Sequence, residues 1–210
     1  WARIICQIVY YFYSYFKLNK KNTSFSVPTG NFGDIFAGYV AKKMGFPIGK
    51  LCIATNQNNI LDRVIRTGLY EKTLLHSTIS PSMDIQVSSN FERLLFDLYK
   101  RDSASIIDLM ERLKNCGKFV LTEIELEKLR SLFVSGAVNE EDTLKSIRGA
   151  LYSSGQLVCP HTAVGLAAID KKETEGTHPI IYLATAHPAK FKDAVLKATK
   201  REAKLPKHMA

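Results

Sequence analysis

The chain has 210 residues, of which 46% are hydrophobic and 23% are charged, and it carries a formal net charge of +9. This composition excludes a disordered or low-complexity chain and supplies enough apolar residues for a buried core. The four cysteines lie far apart and form no C-x-x-C pair. We therefore expect no metal site and no disulfide framework, and we expect reduced thiols in the cytoplasm.

The positive charge is concentrated at residues 17–21 and after residue 189. A basic tail of this kind is compatible with nucleic-acid contact and with a solvated helix face. The solvated face is favoured, because no zinc-finger spacing or aromatic RNA-binding signature accompanies the basic residues. We therefore treat 201–210 as a basic C-terminal tail and expect no nucleic-acid partner.

Residues 1–21 contain a long apolar run, IICQIVYYFYSYF, that predicts a helix. The run is too short to cross a bilayer and lacks the small-residue cleavage site of a signal peptide. Its continuous apolarity predicts a buried or interface helix that packs against material on both sides. We expect some of that material to lie outside this chain, and we expect no membrane association.

Residues 22–88 alternate between strand and helix patterns. The β-α-β-α order predicts a parallel sheet with helices packed on its faces. The predicted elements are a strand at 24–27, a helix at 34–44, a strand at 50–55 and a helix that begins at Asn58 or Asn59 and ends at Gly68.

The turn between the first strand and the helix that follows it is the most informative feature. In the run PTGNFGD, Gly30 and Gly33 allow the backbone to curl so that successive N–H groups point into one concavity. At the start of a helix, such a turn predicts an anion-binding site, with phosphate as the favoured ligand. An ordinary strand-turn-helix corner fits the spacing equally well. The run is neither a Walker loop nor a dinucleotide fingerprint.

Residues 89–152 predict an all-helical insert into the sheet-forming part of the chain. Three pairs give helix-start signals: Ser89 with Glu92, Ser105 with Asp108, and Thr122 with Glu125. Apolar stripes follow the second and third pairs: Ile106, Ile107, Met110 and Leu113, then Leu126, Leu129 and Phe133. A last helix is expected at about 140–151.

Residues 153–200 return to the pattern of the sheet. A helix is expected at 160–170, a buried strand at 179–184, and a closing helix with Pro188 in its first turn. Ligands of open α/β sheets bind beyond the carboxyl ends of the strands. Thr185 and the turn at 30–33 both follow such ends, so we expect them to face one pocket.

Five blocks of the chain resemble the threonine synthase family and occur in that family's order. They are VPTGNFGDIFAGYVAKKMGFPIGKL, IATNQNNILDRVIRTGLY, SPSMDIQVSSNFERLLFDLY, PHTAVG and TAHPAKF. The resemblance implies the tryptophan-synthase-β-like fold (fold type II) and an enzyme that depends on pyridoxal phosphate. That enzyme converts O-phosphohomoserine and water to threonine and phosphate. The resemblance is closest to the branch with a long helical insert before PHTAVG.

The resemblance also implies which residues bind the cofactor. Backbone N–H groups of 30–34 would wrap its phosphate, and the Thr185 hydroxyl would face its pyridine nitrogen. The Asp34 carboxylate would repel a phosphate, so we expect it to turn toward backbone donors of the first helical turn. An ordinary aspartate at a helix start is an equal alternative. The expected cofactor-binding residues are Gly30, Asn31, Phe32, Gly33, Asp34 and Thr185.

Three other residues in or beside these blocks receive weaker expectations. His161 and His187 lie in PHTAVG and TAHPAKF, and structural hydrogen bonding is favoured over catalysis for both. Cys159 stands before PHTAVG where the family pattern leads us to expect an aspartate. The hydrogen bonding at that corner therefore cannot be carried over from the family.

The family's Schiff-base lysine, which lies in a Ser-Phe-Lys-Asp type of segment, has no counterpart in this chain. We expect it upstream of Trp1, so that the chain corresponds to the C-terminal portion of a longer enzyme and residues 1–21 to the end of the missing N-terminal half. No catalytic residue is expected within the chain, which should be inactive alone. The alternative is a non-catalytic relative that binds a phosphorylated ligand or partner through the retained turn.

Overall fold

A computed structural model describes residues 1–169 and 179–206. The helices in chain order are α1 Ala2–Leu18, α2 Gly33–Lys43, α3 Ile60–Thr67, α4 Phe91–Leu98, α5 Ser103–Cys116, α6 Glu123–Leu132, α7 Glu140–Ser154, α8 Pro160–Ala168 and α9 Lys192–Thr199. The strands are β1 Thr23–Pro28, β2 Ile48–Thr55, β3 Leu69–Glu71, β4 Lys118–Val120, β5 Phe133–Ala137 and β6 Ile180–Tyr182. Short 3-10 helices occupy Pro81–Met83 and Pro188–Phe191.

The central sheet of the described residues has four strands in the order β5-β2-β1-β6, and each neighbouring pair is parallel. Phe25 of β1 lies opposite Leu51 of β2 on one side and Ile181 of β6 on the other. The predicted parallel sheet is thus confirmed. Because all four strands run in one direction, the segments that follow them emerge at the same edge of the sheet.

Helices cover both faces of this sheet. Successive side chains of a strand point to opposite faces of the sheet, as Phe25 and Ser26 of β1 do. The Phe25 ring packs on the Tyr11 ring of α1 with 4.8 Å between centroids. The Ser26 hydroxyl donates to the Gly165 carbonyl of α8 at 2.5 Å. Helices α1, α2 and α3 therefore lie on one face, and α8 with α7 and α9 lies on the other.

Helix α1 buries one side against α2 and exposes the other. Tyr11 is fully buried, and its ring approaches α2 so closely that a Cβ on Gly38 would lie 2.5 Å from it. The rest of α1 exposes more than half of each of five large apolar side chains: Ile5, Val9, Tyr10, Tyr13 and Phe16. An interface helix was predicted here, and the residues that the structure describes cover only one of its sides.

Across the described parts of the chain, none of the helices is both long enough and apolar enough to traverse a lipid bilayer.

The prediction of an all-helical segment at 89–152 requires a correction. Strand β4 lies in this segment and pairs antiparallel with β3, and strand β5 joins the central sheet. The spacing from Leu126 and Leu129 assigned Phe133 to a helical stripe, but α6 ends at Leu132 and Phe133 begins β5. A five-residue strand that follows a helix without a loop leaves no turn signal in the sequence.

Several predicted helix starts also differ in detail. Helix α4 has Asn90 at its N-cap position and no side-chain cap, so the capping box of Ser89 and Glu92 does not form. Helix α5 begins earlier than Ser105, because the Asp102 carboxylate accepts the Ala104 N–H at 3.1 Å. Strand β6 is shorter than the predicted 179–184, and position 170 of the predicted helix lies outside the described residues.

Candidate functional site

The turn between β1 and α2 owes its curvature to Phe32. This residue has a φ of 64°, in the left-handed region, whereas Gly30 and Gly33 do not have positive φ. The Phe32 ring is 1% exposed and lies 5.4 Å from the Phe91 ring and 5.9 Å from the Phe133 ring, centroid to centroid. The prediction that the two glycines supply the curl is therefore wrong. Burial of an aromatic side chain holds the strained residue instead.

Among the described residues, the N–H groups of the 30–34 turn have no partners, whereas its first two carbonyl groups accept hydrogen bonds. The Gly30 carbonyl accepts from the Ser88 hydroxyl at 2.8 Å. The Asn31 carbonyl accepts from the Asn90 backbone N–H at 3.1 Å and from its side-chain amide at 2.7 Å. Within the described residues, no acceptor pairs with the backbone N–H of any residue in 30–34. Consecutive free donors at the start of α2 form an anion-binding concavity.

Gly30 is required for close packing rather than for its conformation. A Cβ at this position would lie 2.5 Å from the Ser82 carbonyl oxygen, whereas the nearest atom to a Cβ on Gly33 would be 3.6 Å away. Ser82 is in turn held by His161 of α8, because its N–H donates to His161 Nε2 at 3.2 Å. The 3-10 helix Pro81–Met83 thus forms a fixed wall beside the turn.

A cleft of about 1080 Å³ opens at the carboxyl edge of the sheet. Its walls come from α1, from the 30–34 turn, from Ser82 and Met83, from His161, and from the segment that leaves β6. Thr185 and the 30–34 turn line this one cleft, as the parallel strands led us to expect. All six residues expected to hold a cofactor lie along it: Gly30, Asn31, Phe32, Gly33, Asp34 and Thr185.

Thr185 is positioned by two neighbouring elements. The Leu183 N–H donates to the Ser26 carbonyl at 3.0 Å, which continues the pairing of β6 with β1. The Thr185 N–H donates to the Thr162 hydroxyl oxygen at 3.4 Å. At the start of α8, Cys159 takes the N-cap role where an aspartate was expected, because its Sγ accepts the Thr162 N–H at 3.4 Å. The Thr185 side chain remains exposed to the cleft.

The Asp34 carboxyl group lies in the cleft without the partners we expected. Within residues 1–169 and 179–206, no group donates to its buried Oδ1, so the expected turn toward backbone donors of α2 is wrong. Burial raises the pKa of Asp34 to about 6, although the nearby Arg3 charge opposes the rise. Arg3, Arg93 and Lys190 also line the cleft, so its charged groups are mainly cationic.

The two histidines of the family blocks differ in environment. His187 starts the 3-10 helix Pro188–Phe191, and its Nδ1 accepts the Ala189 N–H at 3.2 Å. His161 is 4% exposed, and burial together with the Lys190 charge lowers its pKa to about 4. Its Nδ1 is buried and has no partner among the described residues. Structural hydrogen bonding accounts for His187 and for only one nitrogen of His161.

The residues of this cleft that sequence reasoning missed include Gln7, Ser82 and Lys190. Lys190 lies in the TAHPAKF block and could have been found from its closeness to Thr185 in sequence. No sequence pattern marks Gln7 as a site residue, because only the packing of α1 on α2 brings it to the cleft. Its Oε1 is buried there and has no hydrogen-bond partner among the described residues. Ser82 is likewise brought there by tertiary structure.

Comparison with known proteins identifies the relatives of this chain. The family model described as "Threonine synthase, C-terminal" matches residues 162–210. A threonine synthase of Pseudomonas aeruginosa is 47% identical over 213 residues, which covers 100% of this chain and 45% of that protein.

Solved structures give the same result. The crystal structure of threonine synthase from Brucella melitensis with bound pyridoxal phosphate has a TM-score of 0.95 and 49% identity, covering 100% of this chain and 45% of that one. The yeast threonine synthase structure has a TM-score of 0.88 and 41% identity, again covering 100% and 45%. The chain thus spans under half the length of these relatives. Over its whole length the chain is similar to part of these threonine synthases, its residues 162–210 match the family's C-terminal model, and it shares the fold-type-II α/β architecture of its structural neighbours.

Proposed function

We propose that this chain is the cofactor-phosphate-binding portion of a threonine synthase. The protein would bind pyridoxal phosphate and convert O-phosphohomoserine and water to threonine and phosphate. The observation that carries the proposal is the set of unpartnered N–H groups at 30–34, which line the same cleft as Thr185. The relatives named above support it, and the Brucella melitensis protein binds this cofactor.

The residues of the 30–34 turn fit the phosphate of the cofactor. A phosphate dianion needs several donors, and the turn offers consecutive backbone N–H groups at a helix start, where the peptide dipoles favour negative charge. Gly30 also fits, because its bare Cα lets Ser82 close the wall beside the turn. Asp34 is still mostly ionised near neutral pH, since its pKa is raised only to about 6, and the nearby Arg3 charge offsets part of its repulsion of a phosphate.

Thr185 is suited to face the opposite end of the cofactor. When bound, pyridoxal phosphate supplies an electron sink for carbanion chemistry. A threonine hydroxyl near the pyridine nitrogen favours a less protonated ring than a carboxylate would, so Thr185 would tune the strength of that sink. Its backbone is fixed through Thr162 and β1, which makes the hydroxyl a well-positioned group.

The exposed side of α1 supports an association with an N-terminal half of the same enzyme. Five large apolar side chains of α1 are more than half exposed, and other residues of α1 line the neighbouring cleft. Monomeric proteins seldom expose contiguous apolar surface of this kind. The cofactor-linked lysine would come from that half, so the 210-residue chain alone would bind pyridoxal phosphate weakly and would not turn over.

The alternative function is that of a non-catalytic protein that binds a phosphorylated ligand. It is favoured by one feature, namely that the 30–34 turn needs no lysine to bind a phosphate ester. The two functions differ in whether a lysine outside residues 1–210 becomes joined to the cofactor.

Borohydride reduction of the gene product, as the cell makes it, tests this difference. The protein is loaded with pyridoxal phosphate, reduced and digested, and the modified lysine is mapped by mass spectrometry. We expect a modified lysine outside residues 1–210, together with release of threonine and phosphate in equal amounts from O-phosphohomoserine. A modified lysine within 1–210, or turnover by the purified 210-residue chain, would refute the division into halves. Phosphate-ester binding with no modified lysine would support the alternative.

A further inference from the structure

A second set of anion-binding donors lies in the cleft, apart from the 30–34 turn. His161 of α8 and Lys190 of the 3-10 helix Pro188–Phe191 both line it. They meet at Phe191, because the His161 ring lies 4.7 Å from the Phe191 ring and Lys190 Nζ lies 5.8 Å from the centre of that ring.

The hydrogen bond from Ser82 determines which nitrogen of His161 carries a proton. Nε2 accepts the Ser82 N–H, so in the neutral ring the hydrogen is on Nδ1. Burial and the Lys190 charge lower the pKa of His161 to about 4, which keeps the ring neutral at physiological pH. Nδ1 is therefore an N–H donor, it is buried, and it has no acceptor among the described residues. A buried donor left without an acceptor is costly and calls for a ligand.

Lys190 supplies a positive charge near the His161 ring, since both side chains approach the Phe191 ring. It forms no ion pair with any carboxylate of residues 1–169 and 179–206. Its ammonium is close enough to His161 to depress the pKa of the imidazole. A neutral N–H donor and an unpaired cation in one cleft match the needs of a dianionic phosphate.

We propose that His161 Nδ1–H and Lys190 Nζ bind the phosphate group of the substrate, while the 30–34 turn binds that of the cofactor. The inference rests on the proposed function, in which two phosphate groups must occupy the cleft together. The 30–34 turn provides for one of them. His161 and Lys190 provide for the other, both as part of O-phosphohomoserine and as the phosphate released.

Two substitutions of His161 separate its two nitrogens. In His161→Gln the side-chain oxygen reaches the position of Nε2 and can still accept the Ser82 N–H, but the Nδ1 donor is lost. In His161→Asn the amide nitrogen takes the position of Nδ1, while the acceptor for Ser82 is lost. Lys190→Gln removes the charge at an exposed side chain, and Lys192→Gln is its control, because Lys192 is also exposed and does not line the cleft.

The variants are made in the gene product loaded with pyridoxal phosphate, and the binding of inorganic phosphate is measured by ³¹P NMR alongside the KM for O-phosphohomoserine. We expect Lys190→Gln and His161→Gln to weaken phosphate binding and raise KM about ten- to a hundredfold, with cofactor retention unchanged. His161→Asn should weaken phosphate binding less than His161→Gln, and Lys192→Gln should match the unsubstituted protein.

Two results would overturn the inference while leaving the proposed function intact. The first is unchanged phosphate binding in both Lys190→Gln and His161→Gln. The second is loss of the cofactor from these variants with unchanged KM, which would assign the pair to the cofactor's phosphate. Failure of the unsubstituted protein to bind pyridoxal phosphate at all would instead refute the proposed function, and this inference with it.

Discussion

Two polar regions of the molecule differ in whether their buried groups have partners. The Asp84 cluster, formed by Asn56, Asn58, Thr78, Ser80 and Asp84, is densely connected. Asp84 Oδ1 accepts from Thr78 Oγ1 at 2.6 Å, from Asn56 Nδ2 at 2.7 Å and from Asn58 Nδ2 at 3.0 Å, and Oδ2 accepts the Thr78 N–H at 2.8 Å.

In the cleft, by contrast, several buried polar groups have no hydrogen-bond partner among the described residues. Gln7 Oε1, Asp34 Oδ1 and His161 Nδ1 are buried without a hydrogen-bond partner, and the N–H groups of 30–34 are free. Buried polar groups are almost always paired in folded proteins. The Asp84 cluster thus holds the chain in shape, whereas we infer that a ligand or further protein completes the cleft.

The largest expected effect comes from breaking the Asp84 cluster. Asp84→Ala would remove the acceptor that Asn56, Asn58 and Thr78 share and would leave the Thr78 N–H unpaired, and we expect a loss of about 3 kcal/mol in the free energy of unfolding. Urea titration followed by circular dichroism measures it. The control is Asp108→Ala, which removes an exposed ion pair with Arg112 and should change stability by about 0.5 kcal/mol or less. Equal effects of the two substitutions would contradict the structural role of the cluster.

A matched pair of glycine substitutions then tests the wall of the cleft. Gly30→Ala would force a Cβ to within 2.5 Å of the Ser82 carbonyl oxygen and should cost about 1–3 kcal/mol in stability. Gly33→Ala has room for its Cβ and should not destabilise the chain. Thermal unfolding and inorganic phosphate binding are measured on both variants. We expect Gly30→Ala alone to lose stability, and a larger loss from Gly33→Ala would refute the packing account.

The sequence could predict the parts of this site that depend on local pattern. The strand β1, the helix α2 and the turn between them have clear signals, and the parallel order places Thr185 at the same edge. The conformation of the turn could not be predicted in the same way. Its left-handed residue is Phe32, which is stabilised by Phe91 and Phe133 from distant parts of the chain. The spacing of Gly30 and Gly33 does not indicate that Phe91 and Phe133 pack on Phe32.

The walls of the cleft were still less predictable. Gln7 reaches it because α1 crosses α2, and Ser82 reaches it through Gly30 and His161. Both contacts join residues far apart in sequence. The strand β5 was missed for a related reason, because its short run FVSGA is made a strand by pairing with β2 and not by its own composition.

A smaller effect is expected from removing the buried charge of Asp34. Because the pKa of Asp34 is raised from 3.8 to about 6, the folded state binds more protons than the unfolded state between these values, and stability falls as the pH rises through this range. Asp34→Asn should therefore stabilise the chain by about 1–2 kcal/mol at pH 8 and not at pH 4.

Urea titrations at the two pH values measure this difference. Asp193→Asn is the control, since Asp193 also lies in the first turn of a helix but is exposed. It should give no gain at pH 8. If Asp34→Asn destabilised the chain at pH 8, the carboxylate would have a favourable partner, and Asp34 would belong with the paired groups.

The smallest effect concerns Cys159. This residue is intermediate between the paired groups of the Asp84 cluster and the unpaired groups of the cleft, because it forms a hydrogen bond that is weak. Its Sγ accepts the Thr162 N–H that caps α8, and sulfur is a poor acceptor. Cys159→Asp supplies the stronger cap at the positive end of the helix dipole and should raise stability by about 0.5–1 kcal/mol, whereas Cys159→Ala should lower it by a similar amount. Differential scanning calorimetry gives the order of the melting temperatures of the unsubstituted chain and the two variants.

Since Thr162 also accepts the Thr185 N–H, the Asp variant should fix Thr185 more firmly, and hydrogen exchange at the Thr185 amide should slow. A melting temperature for Cys159→Asp below that of Cys159→Ala would mean that burying the carboxylate outweighs the cap.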